Sequence, residues 1–241
     1  MNSRFLPFVL LGLLAGTSLA DGPLLPNPYL LLIRDRYVQQ ECKVEPQQVK
    51  ALRTLTDKID PHFFPIRSYA PSQAGGKVQK LINQAKSGVK EIFRPVQRLR
   101  LAQITLRCQG LKSLLRDDVA RFIDMSNNQR TETTKLIQAQ DKDLAELSKQ
   151  ARAGKPRGAL EKTAKQIRQK TYQELMAMLS PVQKSDFGRL LGKPIDMTKI
   201  YQDLRFKAPD FIRGNLWIDS KPLTMKQLRG KVVALHFYAF G

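Results

Sequence analysis

Leu179-Ser180-Pro181-Val182-Gln183 is the stretch on which the fold turns. An apolar residue before a serine, then a proline, then a glutamine three residues after the serine is the pattern of a helix start. The leucine staples at N′, Ser180 caps, Pro181 suits the first turn, and Gln183 at N3 can bond back to the cap amide. Phe93-Arg94-Pro95-Val96-Gln97 has the same form 86 residues earlier, and Val44-Glu45-Pro46-Gln47-Gln48 and Met125-Ser126-Asn127-Asn128-Gln129 make a second pair 81 residues apart. Ser126 is a good cap, whereas Glu45 and Arg94 are poor ones. Between these starts run helix-period apolar positions: Val78, Leu81, Ile82, Ala85, Val89, Ile92 and Phe93, then Leu160, Ala164, Ile167, Leu175, Met176 and Leu179. Ala74-Gly75-Gly76 and Gly154-Lys155-Pro156-Arg157-Gly158 read as breakers, so each copy should contain an antiparallel helical hairpin. Leu32-Ile33-Arg34-Asp35 ahead of Val44 to Gln48 echoes Leu114-Leu115-Arg116-Asp117 ahead of Met125 to Gln129, with one residue of slippage. The expected class is therefore mainly α, with helical repeats over residues 30–112 and 113–195.

Composition narrows the function. The 241 residues are 42% apolar, enough for a core, and hold 41 Lys+Arg against 21 Asp+Glu, a net charge of +20. Two cysteines exclude a disulfide-rich mini-protein. His62, His236, Cys42 and Cys108 lack ligand spacing to one another, so no metal or other cofactor is expected. Arg4, the apolar run from Phe5 to Ala15, and Ser18-Leu19-Ala20 have the form of a secretory signal over residues 1–20, followed by a short linker over 21–29. The apolar run falls short of the ~20 residues that cross a bilayer. The expected mature protein is extracytoplasmic, without a membrane span, and carries +19 once Arg4 is removed.

The densest basic stretch holds Lys149, Arg152, Lys155, Arg157, Lys162, Lys165, Arg168 and Lys170 against one acid, Glu161. It reads either as an anion-binding face, for nucleic acid, anionic lipid or an acidic envelope polymer, or as a solvated helix face. Export and the lack of interleaved aromatics argue against nucleic acid. Cys42 and Cys108 would close a loop worth ~4 kcal/mol in the chain-entropy model if they paired in an oxidising compartment. Cys42 also aligns with Ile123 of the second copy, as a buried small hydrophobe would. Both readings stay open. Neither cysteine has a CxxC partner, and no adjacent His or basic cluster marks either as a catalytic thiolate.

After Lys193-Pro194 the pattern changes. A linker is expected over residues 196–206, then short β-like pieces at Phe211-Ile212 and Leu216-Trp217-Ile218. Thr224 can cap a short helix that Gly230 ends. Val232 to Phe240 is a continuous apolar run, the pattern of a strand buried on both faces, with His236 as a core residue. Such a strand needs neighbours on both edges.

Two resemblances follow from these residues. The repeated motif is similar to the LTxxQ motif of the Spy and CpxP family of periplasmic helical-hairpin chaperones, although none of the four copies begins Leu-Thr. That likeness implies an envelope helical domain with a surface for unfolded clients. The stretch Ala208-Pro209-Asp210-Phe211 through Pro222-Leu223-Thr224 and Leu228-Arg229-Gly230-Lys231-Val232-Val233 resembles the opening of a TlpA-like or redoxin (AhpC/TSA-type) thioredoxin-fold domain, over roughly 207–241. This likeness implies an incomplete α/β piece, thiol–disulfide or peroxide reduction in the parent protein, and a thiol or disulfide protein partner. In that family the nucleophilic cysteine would directly follow Gly241, so no catalytic residue can be assigned here. The expectation is a fragment of an exported oxidoreductase that is itself inactive. The reading frame would be cut after Gly241 by a frameshift or sequence end, or by a UGA selenocysteine codon read as a stop. The rival expectation is a non-enzymatic envelope module that binds clients or anions.

Overall fold

The computed structural model describes residues 28–66, 71–202 and 221–234. The signal segment, the pieces at 207–220, and His236 with the rest of the 235–241 run lie outside the described residues. So does Gly241, after which the redoxin likeness places its nucleophilic cysteine.

Two short helices open the first copy, α1 (Tyr29–Leu32) and α2 (Arg36–Glu41). They lead into the long pair α3 (Pro46–Ile66) and α4 (Pro71–Ile92), and α5 (Pro95–Gln109) closes the unit. The second copy repeats this order with a 3-10 helix over Gly110–Leu115, then α6 (Asp117–Phe122), α7 (Asn127–Arg152), α8 (Arg157–Met178) and α9 (Pro181–Leu191). The protein is mainly α, with no strand among the described residues. Arg36 and Asp117, like Pro46 and Asn127, start equivalent helices 81 residues apart; Pro71 and Arg157, like Pro95 and Pro181, do so 86 apart. The extra five residues lengthen α7, which has 26 residues where α3 has 21.

Two local expectations are corrected. Ala74, Gly75 and Gly76 are helical, inside α4, because Pro71 with its preset φ begins that helix earlier. Gly75 and Gly76 face open space there, where a helical glycine costs ~1 kcal/mol but clashes with nothing. In the second hairpin the break falls at Gly154 (φ +86) and Pro156, while Arg157 and Gly158 already belong to α8. The likeness of Arg34-Asp35 to Arg116-Asp117 is also one residue out of structural register. Asp35 caps α2, accepting from the Val38 N–H at 3.0 Å, and its equivalent at the start of α6 is Arg116. The 81-residue register, which holds as far as the first long helix of each hairpin, places Cys42 opposite Ile123, both buried.

Each copy has its own core. Leu30, Leu32, Ile33, Leu52, Ile59, Ile82 and Ile104 lie in the first, and Leu114, Val119, Ile123, Ile137, Leu175 and Phe187 in the second. Helix α5 serves both, with Leu101 and Ile104 in one and Leu106 in the other. The chain after α9 returns to the first copy. Ile195, Met197, Ile200 and Tyr201 pack on the first core, so the first part of the segment read as a linker from 196 is a strap across the body. α5 holds that strap: Arg107 donates to the carbonyls of Leu191 (2.9 Å) and Gly192 (2.6 Å), and Arg100 to that of Lys193 (2.8 Å). Gly192 turns with φ +61, the left-handed region that favours glycine, and a Cβ there would also push the flexible Gln103 amide aside.

Candidate functional site

The four motif glutamines meet as two pairs. Gln129 Nε2 donates to Gln183 Oε1 at 3.0 Å, and Gln183 Nε2 to Gln129 Oε1 at 3.1 Å. Their second N–H groups donate to the carbonyls of Met178 (2.8 Å) and Asp124 (2.9 Å), and their oxygens accept from the Ser126 and Ser180 amides (both 2.9 Å). Gln48 and Gln97 do the same in the first copy. They donate to each other at 2.9 Å and to the carbonyls of Ile92 and Lys43 at 2.7 Å, and they accept from the amides of Glu45 (3.0 Å) and Arg94 (2.9 Å). Lys43 and Asp124, whose carbonyls are used, both sit in the left-handed region (φ 52 and 50). An amide side chain offers two donors and two acceptor sites, and each of these four fills all of them. The motif thus ties α3 to α5 and α7 to α9, and its glutamines keep nothing back for a ligand. Where the caps are poor, an Arg94–Glu45 ion pair at 2.5 Å joins them.

Neither thiol is placed for chemistry. Cys42 and Cys108 are free, Cys42 buried and Cys108 half-buried against the first core. Burial pushes both thiols up to about 12, partly countered at Cys42 by the charge of Arg100 and at Cys108 by a hydrogen bond with Tyr201. Burial likewise raises the Tyr201 hydroxyl well above the ordinary phenol value. A nucleophilic cysteine needs the opposite environment. Among the described residues no three His, Cys, Asp or Glu side chains could hold a metal, and exposed His62 lies on a shallow groove of about 410 Å³ with Ile66, Lys77, Lys80 and Leu81.

The basic stretch spans the end of α7, the turn and most of α8. All eight of its cations are exposed. Lys149 lies 3.6 Å from Glu146 and Lys170 lies 3.9 Å from Glu174, while Lys155 donates to Gln150 Oε1 at 3.2 Å. Lys162, Lys165 and Arg168 follow one another at helical i, i+3, i+6 spacing on α8, with Glu161 on the same flank and no ion pair to any of the three among the described residues.

In the C-terminal piece, Thr224 and Gln227 form a further reciprocal cap. The Thr224 amide donates to Gln227 Oε1 at 2.8 Å and the Gln227 amide to Thr224 Oγ1 at 3.3 Å; the turn ends at Gly230 with φ +83. Val232 is 100% exposed.

Two features escaped the sequence reading. Arg34 and Asp60 form a buried ion pair, each side chain 5% exposed, and Asp35 holds the strap by accepting from the Tyr201 amide at 2.6 Å. Arg34 and Asp35 stand in the echoed segment, but nothing local names partners 26 and 166 residues away. Among the described residues no helix is long and apolar enough to cross a membrane. No protein-family model, curated protein or solved structure matches this chain.

Proposed function

We propose that residues 28–202 form a non-enzymatic binding module of an exported protein, joined in sequence to the opening of a thioredoxin-like redox unit at 207–241. The observation that carries this reading is the glutamine pair, built in the same way in both copies. It supports the likeness to LTxxQ helical hairpins, whose work is to hold unfolded clients. The buried thiols support the non-enzymatic half, since neither can supply a thiolate near neutral pH. Light scattering of a heat-unfolding client, with the full chain added at equimolar and higher ratios, tests it. Suppressed aggregation is expected, and none at molar excess would remove the client-binding reading.

The oxidoreductase reading of 207–241 is favoured by the Thr224–Gln227 cap and the left-handed Gly230, which supply the turn that a redoxin-like Pro-Leu-Thr to Leu-Arg-Gly-Lys stretch needs. In this view the helical body presents partners to the redox unit and takes no part in electron transfer. Insulin turnover with dithiothreitol checks that division. Neither the unaltered chain nor its Cys42→Ser/Cys108→Ser variant should turn insulin over above the dithiothreitol background, and turnover by the unaltered chain that the variant loses would move redox chemistry into the helical body.

A further inference from the structure

The second hairpin departs from the first in a directed way. The second core reaches Ile137 on α7 and Leu175 on α8. Beyond them the two helices continue for about 20 Å as an arm in which Leu160 and Ala164 are buried and Leu144 and Leu147 half-buried. In the first copy α1 packs over α4, and Ile82 is buried to 1% exposure. In the 86-residue register Arg168 stands where Ile82 does, and it is exposed. At this position the second copy thus presents an exposed cation where the first closes its helix with an apolar residue. Lys162 and Lys165 continue the same flank toward the tip, where Arg157 and Lys155 extend the charge.

The composition of the arm selects its partner. Among the described residues none of the large exposed apolar side chains falls between 138 and 170, so the arm lacks the anchors by which an amphipathic helix enters a bilayer. The same stretch has no aromatic residue on which a base could stack. Its cations are exposed and ride on flexible stems along the length of α8, which suits a flexible ligand that follows the helix. We infer that the α8 flank of Lys162, Lys165 and Arg168 is a docking surface for a flexible linear phosphate polymer, bound by charge alone. This surface is independent of both client holding and the redox reading of 207–241.

The test is titration of labelled inorganic polyphosphate with the full chain across a range of salt. The Lys162→Gln/Lys165→Gln/Arg168→Gln variant is compared with a Lys50→Gln/Lys58→Gln/Lys90→Gln control that removes the same charge from exposed positions in the first copy. Binding should weaken steeply with salt, and the arm variant should lower the log–log slope by about 2, following ~0.7 per phosphate contact on a flexible strand. The control should change it far less. Equal losses from both variants, or no binding by the unaltered chain, would overturn the assignment. So would tighter binding to poly-glutamate, which assigns the flank to acidic protein, or salt-resistant binding to phosphatidylglycerol vesicles, which assigns it to a membrane. Circular dichroism of both variants should match the unaltered chain, since all six positions are exposed.

Discussion

Gln97 and Gln48, 49 residues apart, exchange two hydrogen bonds of 2.9 Å, and Gln97 is only 4% exposed. Replacing Gln97 by Met keeps the volume but strands the Arg94 amide, the Lys43 carbonyl and half of the Gln48 amide. Each buried group left unpaired costs ~1–3 kcal/mol, and water can reach some of them here, so a loss of about 2–3 kcal/mol is expected. Gln183→Met removes the same bonds from a more open site and should cost about 1 kcal/mol. Urea unfolding measures both. Adding Gln48→Met to Gln97→Met should cost less than the sum of the two single changes, because the partners no longer strand each other.

Much of this is legible in the sequence, for a physical reason. A helix start is a local object, and its staple, cap, proline and N3 glutamine all fall within five residues, so Leu179 to Gln183 carries its own instructions. The back-bond of Gln183 to the Ser180 amide is therefore readable, and the partner Gln129 is not, since the same Oε1 serves both and only folding chooses the second. The Gly75-Gly76 pair fails to break its helix because glycine lowers helix propensity only modestly, and packing of Val78, Ile82 and Ala85 outweighs that deficit. The strap is unreadable as such. Ile195, Ile200 and Tyr201 have no periodicity, and the surface they cover is formed by the other end of the body.

The second hairpin carries a fault that the first lacks. Thr133 Oγ1 and Gln140 Oε1 are buried without a hydrogen-bond partner. In the 81-residue register they stand where Leu52 and Ile59 are fully buried. Gln140→Leu should stabilise the protein by about 1 kcal/mol, removing an unpaired acceptor while adding apolar burial. A raised urea midpoint with unchanged m is expected, and a lowered midpoint would show that the amide finds a partner in solution.

The two thiols set an alkaline limit. Their pKa values rise from about 9 in the unfolded chain to about 12 in the folded one, so over that window the folded state holds protons that the unfolded state has lost. Stability is then fully present below about pH 9 and declines as pH rises toward 12. Cys42→Val should flatten that decline relative to the unaltered chain in parallel denaturation series at about pH 8 and about pH 10. In the folded protein at about pH 8, iodoacetamide should label either cysteine far more slowly than it does in urea.

The strap gives the most direct link between the helical body and whatever follows it. Asp35 works at both ends of this joint: Oδ1 caps α2 through the Val38 amide, and Oδ2 accepts from the Tyr201 amide in its left-handed turn (φ 70). Asp35→Ala loses both bonds at a buried site and should cost about 2 kcal/mol, whereas Tyr201→Phe loses only the contact with Cys108 and should cost about 1 kcal/mol. Gly192→Ala strains the turn and pushes Gln103, so it should free the strap while leaving the two cores intact. Hydrogen exchange separates these cases. In Gly192→Ala the amides of Ile200 and Tyr201 should exchange faster while those of α3 and α8 stay protected; equal acceleration throughout would mean that the strap is part of the cooperative core instead of a clamp laid over it.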